Sequence, residues 1–197
     1  MRLGFGQLLL VTSGMHPGVE ARLIEARLKY FQRMPFPSGI ERVGSGGRTD
    51  YPAEDVVMLI TVFELLAAGI APLLAASVVG AAQGGLVPFV ANTWMNRTTE
   101  TDALLLVQPD GFEAKRGGAG ELFVGRKLDL DIWTRKRGDA ARRVVVVNAA
   151  RMTSQLDTAF ENLASMAPLA PARARAGFDA WAEDTAAAAA ARSRTGT

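Results

Sequence analysis

Between Val56 and Ala91 the chain carries one charged side chain, Glu64, and from Leu65 to Ala91 it runs 27 residues without any. A segment that long and that apolar can go into a bilayer, whose hydrocarbon core needs about 20 apolar helical residues, or into the interior of a folded domain. Gly69, Pro72, Gln83, Gly84, Gly85 and Pro88 interrupt it, and much of the remainder is alanine rather than leucine. That composition fits two buried helices followed by a strand, so no membrane is expected as a partner. A membrane hairpin over Val56–Ala91 is the rival reading.

With 197 residues, 49% of them hydrophobic and 21% charged, the chain can fill one medium domain or two small ones. It has no cysteine, which excludes disulfides, zinc fingers and thiol catalysis. His16 is the single histidine, so a histidine-rich metal site is excluded too, and neither metal nor cofactor is expected. Net charge is +2, unevenly spread: residues 1–83 hold seven Lys/Arg and seven Asp/Glu, whereas residues 112–143 hold nine and five. Counting alone therefore gives the first 83 residues no basic patch of the kind nucleic-acid binders show. Any such patch has to arise by sorting cations onto one face and acids onto another. Residues 3–11 are apolar but lack the cleavage site of a secretory signal, and a cytoplasmic location is expected.

Along the chain, residues 3–12 read as a short apolar helix, and His16-Pro17-Gly18 as a turn. From Val19, apolar residues at 19, 23, 24, 28 and 31 recur at helical spacing, with Glu20, Arg22, Arg27, Lys29 and Arg33 largely on the other side. Pro35 and Pro37 stop that helix. Ile40–Val43 and Arg48–Tyr51 read as strands of a hairpin around Gly44-Ser45-Gly46-Gly47. That glycine turn lacks the lysine and following Ser/Thr of a nucleotide-binding loop. Pro52, Glu54 and Asp55 suit the first turn of a helix, which continues through Val56, Leu59, Ile60, Phe63 and Leu66 to Gly69. A further helix runs from Pro72 to about Ala82.

Gln83-Gly84-Gly85 then reads as a boundary. Apolar runs at Leu86–Trp94, Ala103–Val107, Glu121–Val124, Leu128–Trp133 and Arg143–Val147 predict a small, mostly antiparallel sheet. Asn148–Met166 predicts an amphipathic helix with Met152, Leu156, Phe160 and Leu163 on one side. Residues 167–197 are rich in Ala, Pro and Arg and read as a largely disordered tail, in which Phe178–Trp181 docks or forms a short helix. The expected organisation is thus a DNA-binding unit over 1–83, an α+β oligomerisation or sensor unit over 84–166, and the tail.

Four segments, in order, carry a family resemblance: Lys29-Tyr30-Phe31, Arg48-Thr49-Asp50-Tyr51, Pro52-Ala53-Glu54-Asp55-Val56 and Leu65-Leu66-Ala67-Ala68-Gly69-Ile70, with Gly6-Gln7-Leu8 ahead of them. Together they resemble the DNA-binding module of the MerR family over about residues 3–82. The spacing between Gly6 and Tyr30 is roughly ten residues longer than the family's, Pro35 stands where a glycine is usual, and no long dimerisation helix follows. The resemblance implies an α+β protein whose N-terminal part is a winged helix-turn-helix. It implies a bacterial transcription regulator that binds duplex DNA as a homodimer, with RNA polymerase or another protein as a further candidate partner. The DNA-contacting residues would be Arg22, Arg27, Lys29, Tyr30 and Arg33 on the Val19–Arg33 helix, and Arg42 and Arg48 on the wing. The alternative is a non-enzymatic adaptor that uses the same surface for a protein partner.

In the second half Trp94, Phe112, Phe123 and Trp133 are candidates for an effector pocket or for sheet core. Arg135-Lys136-Arg137 and Arg142-Arg143 form a basic cluster around the Gly138-Asp139 turn, suited to phosphates or an acidic protein surface and equally to solvent. Asp129 and Asp131 alternate as an acid–base pair would, but no histidine accompanies them, and Ser13, Ser38 and Ser45 lack a base. Catalysis is not expected.

Overall fold

The structure is a computed structural model. It describes residues 1–37, 50–99, 102–108, 121–127, 144–166 and 171–195, with Asp129, Leu130, Ile132 and Arg135 between. It is a mixed α+β protein. Strand β1 (Arg2–Gly4) leads into helices α1 (Phe5–Met15) and α2 (Ala21–Arg33). Strand β2 (Asp50–Pro52) leads into α3 (Ala53–Ala67) and α4 (Pro72–Met95). Strands β3 (Ala103–Gln108), β4 (Glu121–Arg126) and β5 (Val145–Asn148) follow, then helices α5 (Ala149–Met166) and α6 (Pro171–Thr195).

β1 and β2 pair antiparallel, Leu3 opposite Tyr51, and both of these side chains are buried. Each strand runs straight into a helix, and because the strands are antiparallel α1 and α3 leave the ribbon from its opposite ends. The Gly4 N–H donates to Gln7 Oε1 at 2.9 Å, which satisfies one of the free amides at the start of α1. α3 ends in a Schellman turn: the Gly69 N–H donates to the Leu66 carbonyl and the Ile70 N–H to Leu65. Gly69 sits at φ +84°, a conformation that glycine adopts without steric cost.

Every residue of α3 from Val56 to Phe63 is buried, so the helix is covered on all sides there. α4 packs against it and against β4, α5 and α6. By length and composition α4 could cross a membrane. Its exposed positions are Leu73, Ser77, Gly80, Ala81, Gly84, Gly85, Asn92 and Met95, so large apolar side chains face outward only near its two ends. The sheet has the order β4-β3-β5 and is antiparallel throughout. β3 is its buried centre. Asn148, the last residue of β5, accepts the Arg151 N–H at 2.8 Å on its Oδ1 and so caps α5. Met152, Leu156, Phe160 and Leu163 lie on the buried side of α5, as their spacing predicts.

Several expectations are corrected. Residues 2–4 are strand, and the first helix starts at Phe5. Leu86–Trp94 is helix, not strand: α4 runs unbroken through Gln83-Gly84-Gly85, the expected boundary, and through Pro88. One apolar cluster extends from Leu3 to Ala182 across that position. Its hold on Leu86, Val87, Val90 and Trp94 outweighs the weak helix propensity of two glycines and a proline. The described residues of 128–133 are helical rather than extended. The expected disordered tail is, over residues 171–195, helix α6, and alanine-rich composition fits a docked helix as readily as disorder.

Aromatic packing and a polar clasp hold α6 in place. Phe178 inserts edge-on against Trp94, ring centroids 4.7 Å apart, and touches Phe160 at 5.5 Å and Trp181 at 4.8 Å. The Trp94 indole N–H donates to Asp179 Oδ1 at 2.8 Å, and the Arg97 guanidinium lies 4.3 Å over the Trp94 ring. Asp157 of α5 receives both Arg97, at 3.1 Å, and Arg175 of α6, at 2.7 Å. Phe178→Ala is expected to destabilise the protein by about 3–5 kcal/mol, the usual cost of emptying a buried aromatic site. A urea titration followed by tryptophan fluorescence measures this, and a shift below about 1 kcal/mol would show that α6 is peripheral to the core.

A candidate DNA-binding surface on the second helix

Ile24, Leu28 and Phe31 fasten α2 to the core. Phe31 meets Phe63 of α3 at 6.2 Å and Phe36 at 5.9 Å. From the same helix Gln32 Nε2 donates to the Tyr51 hydroxyl at 2.5 Å, tying α2 to the β1–β2 ribbon. With three anchors on one side, the 3.6-residue repeat turns positions 22, 26, 29 and 33 outward in one line, flanked by 23, 27 and 30.

Five of the seven residues expected to touch DNA therefore stand on α2: Arg22, Lys29 and Arg33 share its outward line, and Tyr30 and Arg27 follow round one flank. Arg22, Arg27, Lys29 and Arg33 are exposed, and Tyr30 is half-buried, its ring edge-on to Phe31 at 5.4 Å. The Arg33 Nε–H donates to the Lys29 carbonyl at 3.3 Å. Arg42 and Arg48 lie outside the described residues, as does the glycine turn of the predicted hairpin. Of the strand expected over Arg48–Tyr51, Asp50 and Tyr51 are described: they are extended, and Asp50–Pro52 pairs with Arg2–Gly4. Of the seven cations in residues 1–83, six are these predicted residues and the seventh is Arg2. Folding has thus sorted a segment of zero net charge so that three of its cations share one helix face, with Arg27 exposed on the flank.

Sequence reasoning misplaced Val19 and Leu23 and, of the acids beside these cations, gave Glu20 but not Glu25. Val19 and Leu23, assigned to the buried stripe, are 44% and 54% exposed. Val19 precedes the helix, which starts at Ala21, and Leu23 falls beside Arg27 rather than beside Ile24. Two acids join the surface as well: Glu20 pairs with Arg22, and Glu25 Oε1 lies 2.6 Å from Lys29 Nζ. The i,i+4 spacing of Glu25 and Lys29 was the signal available for the second pair.

Beneath the α1–α2 turn, His16 rests on Phe63, ring centroids 6.1 Å apart, with Nε2 3.7 Å from Glu64 Oε1. Burial lowers the imidazole pKa below its ordinary value. Burial raises that of Glu64, and Arg151 pulls it partly back. The imidazole is therefore neutral near neutral pH, and the contact is not an ion pair. His16 belongs to this packing, and among the described residues no three His, Asp or Glu side chains gather as metal ligands.

In the second half, Trp94 is fully buried in the α4–α5–α6 aromatic cluster rather than in the sheet. Phe123 is half-buried on β4, and Phe112 and Trp133 fall outside the described residues. Asp129 accepts the Arg126 N–H at 2.7 Å on its Oδ2, a turn-closing bond rather than half of an acid–base pair. Asp131 lies outside the described residues. An open cleft of about 570 Å³ separates the start of α3 from α4 and α6, with Glu54, Gln83, Val87 and Trp181 on its walls.

The fold thus defines a mixed α+β protein with a cation-faced helix supported by a two-stranded ribbon. Comparison with protein-family models and with curated proteins finds no match for the chain.

The start of α3 holds a further perturbed acid. Burial and then the neighbouring Glu54 push the Asp55 carboxyl up to about 6, with Arg2 acting in the opposite direction. Its folded pKa lies above the ordinary 3.8, so its contribution to stability is greatest below about pH 4 and is lost as pH rises through about 6. Asp55→Asn is expected to gain urea resistance over wild type progressively from about pH 4 to about pH 7, and none below. Equal midpoints for the two proteins at neutral pH would show that Arg2 fully compensates the buried charge.

Proposed function

We propose that this protein is a sequence-specific duplex-DNA-binding transcription regulator of MerR-like type, acting as a homodimer in the bacterial cytoplasm. α2 is the reading element, and a wing over the 40–51 region is its flank. One observation carries the reading: Arg22, Lys29 and Arg33 line the outward face of a helix whose other side is locked into the core, with exposed Arg27 further round toward that side. A helix of that kind fits the major groove, where guanidinium groups pair with guanine edges and the remaining cations with phosphates. The β1–β2 ribbon adds support, since it fixes the chain entering α3 beside the chain entering α1 and gives α2 a rigid base through Gln32 and Tyr51.

A second reading, an adaptor that binds a protein partner with the same face, is favoured by the exposed Leu23 and Val19. It is favoured too by the even balance of charges in residues 1–83. Apolar side chains among cations and acids suit a protein surface better than a phosphate backbone.

Selection of bound fragments from a random duplex library separates the two. A palindromic consensus is expected, because helix-turn-helix dimers read two half-sites. Arg22→Ala/Arg27→Ala is expected to weaken binding to the selected sequence by about tenfold or more. It is also expected to flatten the dependence of affinity on salt by about one unit of slope for each phosphate that is no longer neutralised. No enrichment, with binding absent even at low salt, would overturn the regulator and leave the adaptor.

A further inference from the structure

We propose that Glu20 and Glu25 are specificity-determining residues of the α2 surface, holding down its attraction for DNA of arbitrary sequence; the proposal rests on the DNA-binding reading above. Each acid sits against one of the cations assigned to DNA, Glu20 against Arg22 and Glu25 against Lys29. All four side chains are largely open to water: 61% and 81% exposed in the first pair, 40% and 57% in the second.

Stability does not account for these acids. Ion pairs so exposed contribute little to folding, because water screens them and two long side chains must be held in place. Glu20 stands at the N-cap of α2 but makes no capping hydrogen bond with its side chain. The two acids instead subtract from what the helix offers to a polyanion. Sequence-independent binding grows with the number of phosphates that cations neutralise. A carboxylate beside a cation reduces that number by occupying the cation, and it also repels the phosphates directly. Against a matching sequence, hydrogen bonds to base edges replace the internal ion pair. Against any other sequence only phosphate contacts replace it, and every duplex offers those equally. The acids therefore penalise every duplex and leave the matching one best able to overcome the penalty, which is specificity gained by disfavouring the wrong partner.

The test compares the full-length wild type, Glu20→Gln/Glu25→Gln, each single variant, and a control, Glu183→Gln/Asp184→Asn. The control makes the same change in charge on exposed positions of α6. Binding is measured over a range of salt to a random-sequence duplex and to the sequence selected by the wild type. The glutamine double variant is expected to bind the random duplex about tenfold more tightly, with a salt slope steeper by about one to two units. Its preference for the selected sequence should fall, each single variant should show part of the change, and thermal midpoints should be unchanged. The control should stay near wild type on both duplexes. If the wild type selects a sequence but the glutamine variants match the control on the random duplex, the proposal is overturned and the DNA-binding reading stands. If none of the proteins binds either duplex at low salt, the DNA-binding reading fails and the proposal with it.

Discussion

The eight residues Val56–Phe63 of α3 are buried on every side of the helix, and the architecture follows from covering them. α1 and the β1–β2 ribbon lie along α3, α4 folds back over it after the Gly69 turn, and Phe63 reaches up to Phe31 of α2. Of these covering elements α1 and the ribbon are short and α2 is amphipathic, whereas α4 is long and apolar and is itself covered by β4, α5 and α6. The polar face of α2 is left for water, because its inner side is only Ile24, Leu28 and Phe31.

That division turns an uninformative charge count into a surface. The positive and negative side chains of residues 1–83 balance, and no electrostatic argument from the sum would point to a polyanion. Once three apolar residues fix the rotation of α2, Arg22, Lys29 and Arg33 line up with Ala26, while Arg27 and Tyr30 flank them. The acids on the same helix stay within reach of Arg22 and Lys29. The face is cationic but held in check, a state that suits discrimination between sequences better than adhesion to all of them.

The far end of the molecule is closed by a different kind of contact. Trp94 ends α4 in a nest of Phe160 and Phe178, and its N–H, its ring face and its edge each have a partner: Asp179, Arg97 and Phe178. Asp157 joins α5 to both arginines. Such a site fixes the angle and register of α6 more than it adds raw stability, since polar groups must meet in defined directions while apolar ones need only be covered. α6 in turn reaches β1, where Gly177 lies against Met1, so the C-terminal helix touches the strand with which the chain begins.

Periodicity by itself determined the helices whose two faces differ in polarity. Over residues 21–33 and 149–166 the apolar positions repeat every three to four residues, and those helices stand where the pattern puts them. The stop at Gly69 was equally legible, because only a residue free to take positive φ ends a helix that way. β3, β4 and β5 appear close to their predicted places, although two further apolar runs read the same way, Leu86–Trp94 and the described part of Leu128–Trp133, are helical. What the sequence left open was decided by contact. Leu86–Trp94 is as apolar as a buried strand, and only packing against α5 and α6 keeps it in α4 through two glycines and a proline. The pairing of residues 2–4 with 50–52 joins positions nearly fifty apart, and three residues carry no periodicity to announce it. Residues 171–195 had the composition of a tail; Trp94, Phe160 and Asp157, all distant in sequence, supply the surface that makes them a helix. The cationic face of α2 belongs to both: its spacing was written in the chain, while its exposure, and the company of Leu23 and Glu25, came from the fold.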